Sequence, residues 1–130
     1  MTFLVAYNGS KESKAALALA IKQAGVFGAK VVVITSMEGG HSEKPEDIAR
    51  VNRELESVGR QLNEAGVEHE VHEMARGLSP GEDIVIFAAE NQIDQIFVGI
   101  EKKSKTRKLL LGSTAQYIIL KANCPVTTVK

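Results

Sequence analysis

The sequence lacks the marks of several common protein classes. It has one cysteine, Cys124, so an internal disulfide is excluded and a reducing compartment suits the chain. Cys124 stands before Pro125 and reads as a small packed residue rather than a nucleophile. There is no tryptophan, and aromatic residues make up only 5% of the chain, so the core must be built from Val, Ile, Leu and Ala. No apolar run approaches the ~20 residues of a membrane helix. The opening "FLVAY" (Phe3 to Tyr7) is too short for a signal sequence and has no basic residue before it. These absences predict a cytoplasmic protein with no membrane partner. Neither sign of charge dominates, with 16 Lys and Arg against 16 Asp and Glu. General nucleic-acid binding, which needs a broad basic face, is therefore not expected. A Walker A pattern and an SGG-type pyrophosphatase loop are both missing. So is the phosphoacceptor Asp of a response regulator: the first strand ends in Asn8 and the third in "EMARG".

What is present is a regular alternation. The length of 130 residues suits one domain, residues 1–130, able to bury its core without staples. "FLVAY" is a β-rich run broken by "NGS". Residues 11–25 carry Ala15, Ala16, Leu19 and Ala20 at helical spacing, with Gly25 and Gly28 punctuating the end. "KVVVITS" (Lys30 to Ser36) is a continuous β-branched run, the mark of a strand buried on both faces. Pro45 to Ala65 predicts a longer helix whose apolar stripe is Ile48, Val51, Leu55, Val58 and Leu62. Val67 to Ala75 alternates as a strand near an edge. A third helix runs over residues 82–91, starting from Pro80 or Gly81, and "DQIFVG" (Asp94 to Gly99) is a fourth strand. A helix from about Ser113 to Ala122 and a last strand, Pro125 to Val129, complete a β-α-β-α-β-α-β-α-β order. Its leading proline suits the last strand to a sheet edge. Such alternation predicts a mostly parallel sheet with helices on both faces. Ligands in such sheets bind outside the carboxyl ends of the strands. If the first and fourth strands are neighbours, their glycine-containing loops converge on one crevice.

One loop stands out in this neutral chain. Five of the seven residues from Lys102 to Lys108 are Lys or Arg. They lie between Gly99, at the end of an apolar run, and Gly112-Ser113, at the start of a helix. A glycine there lets a backbone approach a ligand without a Cβ clash. "GSTAQ" has the capping-box spacing of Ser113 and Gln116. The first amides of a helix lack intrahelical partners and carry partial positive charge, which suits phosphate. Local positive charge and a helix start together suggest a small polyanion. A solvated lysine loop, with Gly112 kept for packing, accounts for the same residues. "HEVHE" (His69 to Glu73) lacks the zinc-protease spacing, and on a strand its two histidines point to opposite faces. No metal site and no catalytic residue is assigned.

With these residues in view, the chain resembles the universal stress protein family over nearly its whole length. Members that bind ATP carry G-x2-G-x9-G-[ST] after the fourth strand. Gly99 fills the first position here, and Gly112 and Ser113 the last two. "GSTAQYIILKANCPVTTV" is similar to the family's last helix and strand, and "AYNGSKES" to its first-strand loop. Two positions depart from the pattern. Lys102 stands in place of the second glycine, where a left-handed backbone would cost about 1–2 kcal/mol. Asn8 stands in place of the usual Asp and keeps only a neutral acceptor.

The resemblance implies an α/β, Rossmann-like single domain, with a five-stranded mostly parallel sheet of order 3-2-1-4-5 and four helices on both faces. It implies an adenine-nucleotide-binding stress-response or regulatory protein, not an enzyme beyond weak ATP hydrolysis. The ligand would be ATP or another adenine nucleotide, with magnesium as an allowed companion. Asn8 would face the ribose or adenosine end, and Ser36 would contact adenine through its backbone. Gly99 and Lys102 would line the phosphate loop, while Gly112, Ser113 and Thr114 would hold phosphate oxygens. A homodimer would pair through the last strand, Val126 to Val129, an apolar edge that would otherwise be a liability. Two rival readings are a family member that works by protein contact alone and a slow ATPase or nucleotide-transferring enzyme.

Overall fold

The computed structural model describes residues 1–35, 45–73, 78–101 and 111–130. The elements run β1 (Thr2–Tyr7), α1 (Lys11–Phe27), β2 (Lys30–Thr35), α2 (Pro45–Glu64), β3 (His69–Glu73), α3 (Pro80–Glu90), β4 (Gln95–Gly99), α4 (Ser113–Lys121) and β5 (Val126–Val129). The strands form one sheet of order β3-β2-β1-β4-β5, and all four pairings are parallel. The strand order reverses between β1 and β4, which are neighbours in register from Phe3 opposite Gln95 to Ala6 opposite Val98.

The strand residues alternate between two cores, as the pleat requires. Phe3, Val5, Val31, Val33 and Phe97 face α1 and α2, where they meet Ala16, Leu17, Ala20, Val58 and Leu62. Phe3 and Phe97 pack edge to face there, with ring centroids 5.2 Å apart. Leu4, Val32, Ile34, Ile96 and Val98 face α3 and α4, against Ile84, Phe87, Ala115 and Ile118. Apart from Thr35, the buried positions of the three central strands are apolar, which explains the unbroken runs in β1 and β2.

Several sequence expectations need adjustment. α1 continues through Gly25 to Phe27. The stripe of α2 is buried only in its second half: Val58 and Leu62 are enclosed, whereas Ile48 is 51% exposed. The first half instead brings Arg50 and Glu54 to the cleft at the carboxyl ends of the strands. α3 begins at Pro80, with Ser79 as its N-cap accepting from the Glu82 amide and donating to the Glu82 carboxylate. The sequence reading overlooked this Ser-x-x-Glu cap, which has the spacing of a capping box, although the carboxylate takes the Ser79 hydroxyl rather than its amide. Cys124 packs partly buried against the second core. Burial and the nearby Asp94 charge push its thiol above the usual range, consistent with a packing role. His72 leans on Phe87 and shares Glu70 with Lys30, while His69 bonds the Val67 carbonyl at 2.8 Å. Among the described residues, no group of three His, Cys, Asp or Glu side chains could hold a metal ion. Among the same residues, no helix is long and apolar enough to cross a membrane.

Candidate functional site

A cleft of about 330 Å³ opens at the carboxyl ends of β1 and β4, the switch point where ligands bind in sheets of this kind. Its floor is Ala6, Tyr7 and Asn8 from β1 and its exit, with Val98 and Gly99 from β4. One wall is the start of α4, Gly112 to Ala115, with Pro80 from α3 beside it. The opposite side is supplied by Gly9 and Ser13 and by Arg50 and Glu54 of α2.

The loop from β1 to α1 is held by its own side chains. The Asn8 carbonyl oxygen accepts the Ser10 amide at 3.0 Å, and Gly9 takes a positive φ of 81°, a conformation natural to glycine. Ser10 caps α1 by accepting the Ser13 amide at 3.1 Å, and the Ser13 hydroxyl donates to the Ser10 carbonyl at 2.9 Å. Asn8 thus serves the turn with its oxygen, and its amide group is what remains for the cleft.

α4 begins differently. Its N-cap is Gly112, at φ −60° and ψ 153°, and no side chain caps the helix. The capping box expected of Ser113 and Gln116 is not formed, because Ser113 is already the first helical residue. The first intrahelical donor is the Gln116 amide, which bonds the Gly112 carbonyl at 3.0 Å. The amides of Ser113, Thr114 and Ala115 precede it, and all three residues line the cleft. This wall offers hydrogen-bond donors and the positive end of a helix dipole.

Gly99 lines the cleft, but packing alone already requires glycine there. A Cβ on Gly99 would lie 2.5 Å from the Glu12 carbonyl carbon and 2.6 Å from the Ser13 amide nitrogen. The start of α1 rests directly on the end of β4, backbone to backbone. Ser36 and Lys102, the remaining residues expected at the site, lie outside the described residues.

The sequence reading did not single out Tyr7, Arg50 or Glu54. The Tyr7 hydroxyl donates to Glu54 Oε2 at 2.8 Å, and Lys14 Nζ lies 3.8 Å from Glu54 Oε1. Burial, and then the bond and charge of Glu54, hold the Tyr7 phenol well above its ordinary pKa, so it remains a donor throughout the neutral range. A signal for Glu54 was present in the sequence. It lies three residues after Val51 and four before Val58, so a carboxylate interrupts an apolar stripe.

Comparison with known proteins agrees with this geometry. Residues 1–130 match the profile of the Universal stress protein family. A universal stress protein of Thermus aquaticus is 31% identical over 135 residues, covering 99% of this chain and 98% of its own. The solved structure of a universal stress protein from Archaeoglobus fulgidus superposes with a TM-score of 0.84 at 38% identity, covering 100% of this chain and 98% of that one. A structure of the universal stress protein from the same organism in complex with dAMP gives 0.79 at 34% identity, with the same coverage. Sheet order, the glycine-bounded loop after β4 and full-length similarity converge: the chain belongs to the universal stress protein family.

Proposed function

We propose that the protein binds an adenine nucleotide in the cleft between β1 and β4, with its phosphate at the start of α4. The observation that carries this reading is the uncapped α4 N-terminus. Its first-turn amides have no partner among the described residues and belong to residues that line a cleft at the sheet's switch point, where an anion satisfies them. The relative solved with dAMP, 34% identical over the whole chain, supports an adenine nucleotide as that anion. In this reading Gly112, Ser113 and Thr114 hold phosphate oxygens, Lys102 adds charge, and Asn8 and Ser36 face the nucleoside. The role is that of a stress-response or regulatory binding protein rather than an enzyme. It acts as a cytoplasmic homodimer paired through the β5 edge.

Calorimetric titration with adenosine, AMP and ATP tests the site. The phosphate-bearing ligands are expected to bind at least tenfold more tightly than adenosine, about 1.4 kcal/mol, with the gap narrowing in high salt. Equal affinity for adenosine and AMP would remove the phosphate seat. No binding by any of the three would shift the function to protein contact alone. Light scattering at micromolar concentration tests the dimer, which a mass of one chain would overturn.

A further inference from the structure

The two sides of the cleft differ in hydrogen-bonding sense. The α4 side presents amide donors, and Asn8 has committed its acceptor oxygen to the Ser10 amide. A nucleotide also carries neutral donors, its sugar hydroxyls and the exocyclic amine of its base, and these need acceptors. Among the described residues, two carboxylates line the cleft, Glu54 and Glu101. Glu101 has no hydrogen-bond partner among the described residues. Glu54 is different. Its Oε2 is fixed by the hydroxyl of Tyr7, a residue only 3% exposed in the floor of the cleft. Its Oε1 lies 3.8 Å from Lys14 Nζ, beyond hydrogen-bond reach. A carboxylate has about four lone-pair sites, so Glu54, with one hydrogen bond among the described residues, keeps most of its accepting capacity. It is also already ordered, so a ligand that uses it does not bear the cost of immobilising a free side chain.

We propose that Glu54 is the acceptor in this cleft that recognises a neutral donor of the ligand, a sugar hydroxyl or the exocyclic amine, and that Tyr7 is its positioning residue. The proposal rests on the nucleotide reading of the cleft. Glu54 supplies the carboxylate that the exit of β1 does not, since Asn8 follows that strand. It does so from α2, whose first half carries Glu54 and Arg50 to the cleft. Selectivity at this site is thus set by a helix that contributes little to the core at that point. It falls on the presence of a donor group in the ligand rather than on phosphate number.

The test is calorimetric titration of wild type, Glu54→Ala, Glu54→Gln and Tyr7→Phe. The ligands are AMP, 2′,3′-dideoxy-AMP and the purine riboside monophosphate that lacks the amine. Circular dichroism confirms that each variant is folded. Glu54→Ala is expected to weaken AMP binding about tenfold or more, as loss of a charge-assisted hydrogen bond does. Glu54→Gln, which keeps a neutral acceptor, should lose about fivefold. Tyr7→Phe leaves the carboxylate in place but unanchored and should lose about threefold. All three losses should vanish with one analogue: the dideoxy ligand if Glu54 reads the sugar, the amine-free ligand if it reads the base. A merely structural role would not move with the ligand in this way. Equal losses for all three ligands, no loss, or tighter binding on removal of the charge would each overturn the proposal. If wild type binds AMP and Glu54 proves indifferent, only this proposal fails. If wild type binds none of the three, the nucleotide reading fails and takes the proposal with it.

Discussion

Two helix starts border the same cleft and are built in opposite ways. At α1 the chain satisfies itself: Asn8 accepts from Ser10, and Ser10 accepts from Ser13. At α4 the cap is a glycine with no side chain to offer, and the residues of the first turn line the cleft. The difference separates scaffold from site. A helix N-terminus that is capped internally has little left for a ligand, even where its dipole points the right way. An N-terminus left open must find its partner in water or in an anion. Gly99 belongs to the scaffold side of this contrast, because α1 sits on it.

The strongest test of the contrast is Gly99→Ala. The added methyl would overlap the backbone of Glu12 and Ser13, which cannot move without lifting α1 from the sheet. Denaturant unfolding should show a loss of about 3 kcal/mol. A glycine kept only for a ligand would show little loss of stability and a selective loss of binding. Next comes the reverse experiment, giving α4 the kind of cap that α1 has. Gly112 has an extended backbone that any residue can adopt. Gly112→Asp should therefore leave folding stability within about 0.5 kcal/mol of wild type. The new carboxylate would occupy the open amides and repel phosphate, so calorimetry should show AMP affinity down at least tenfold, about 1.4 kcal/mol.

Removing the cap of α1 should do the opposite. Ser10→Ala is expected to lower unfolding free energy by about 1 kcal/mol, while AMP affinity stays within about twofold. A large change in affinity would show that the α1 loop belongs to the site after all. The smallest effect is an alkaline one and concerns Tyr7, which leads into that loop. Its pKa is raised in the folded state from an ordinary value of 10.0. The unfolded chain therefore loses the phenolic proton first, and the stability tied to this proton is present below pH 10 and is lost as pH rises above it. The stability advantage of wild type over Tyr7→Phe should narrow by about 0.8 kcal/mol by about pH 10.5. Comparing the two proteins cancels the titration of the lysines that both share. A constant gap across this range would show that the phenol ionises alike in both states.

Much of this could be read along the chain because it depends on local pattern. The β-branched runs marked β1 and β2, the helical spacing marked α1 and α2, and glycine and serine marked the start of α4. The alternation of strands and helices sufficed to place a cleft at strand ends. The pattern misled where tertiary position decides burial. Ile48 has the spacing of a core residue but is half exposed, whereas Val58 and Leu62 on the same stripe are buried. Ser113 has the spacing of a cap, but the helix starts at it, so Gly112 is the cap instead.

What the sequence determined by itself was the set of elements and the chemistry available to them, since propensity, periodicity and turn residues act within a few positions. Only the tertiary structure decided the use of each residue in space. It placed the end of β4 against the start of α1, giving Gly99 a reason to be glycine that no neighbouring residue reveals. It also brought Glu54 to Tyr7 across 47 positions. A hydrogen bond over that separation exists only once α2 has packed onto the sheet, so no local pattern can encode it.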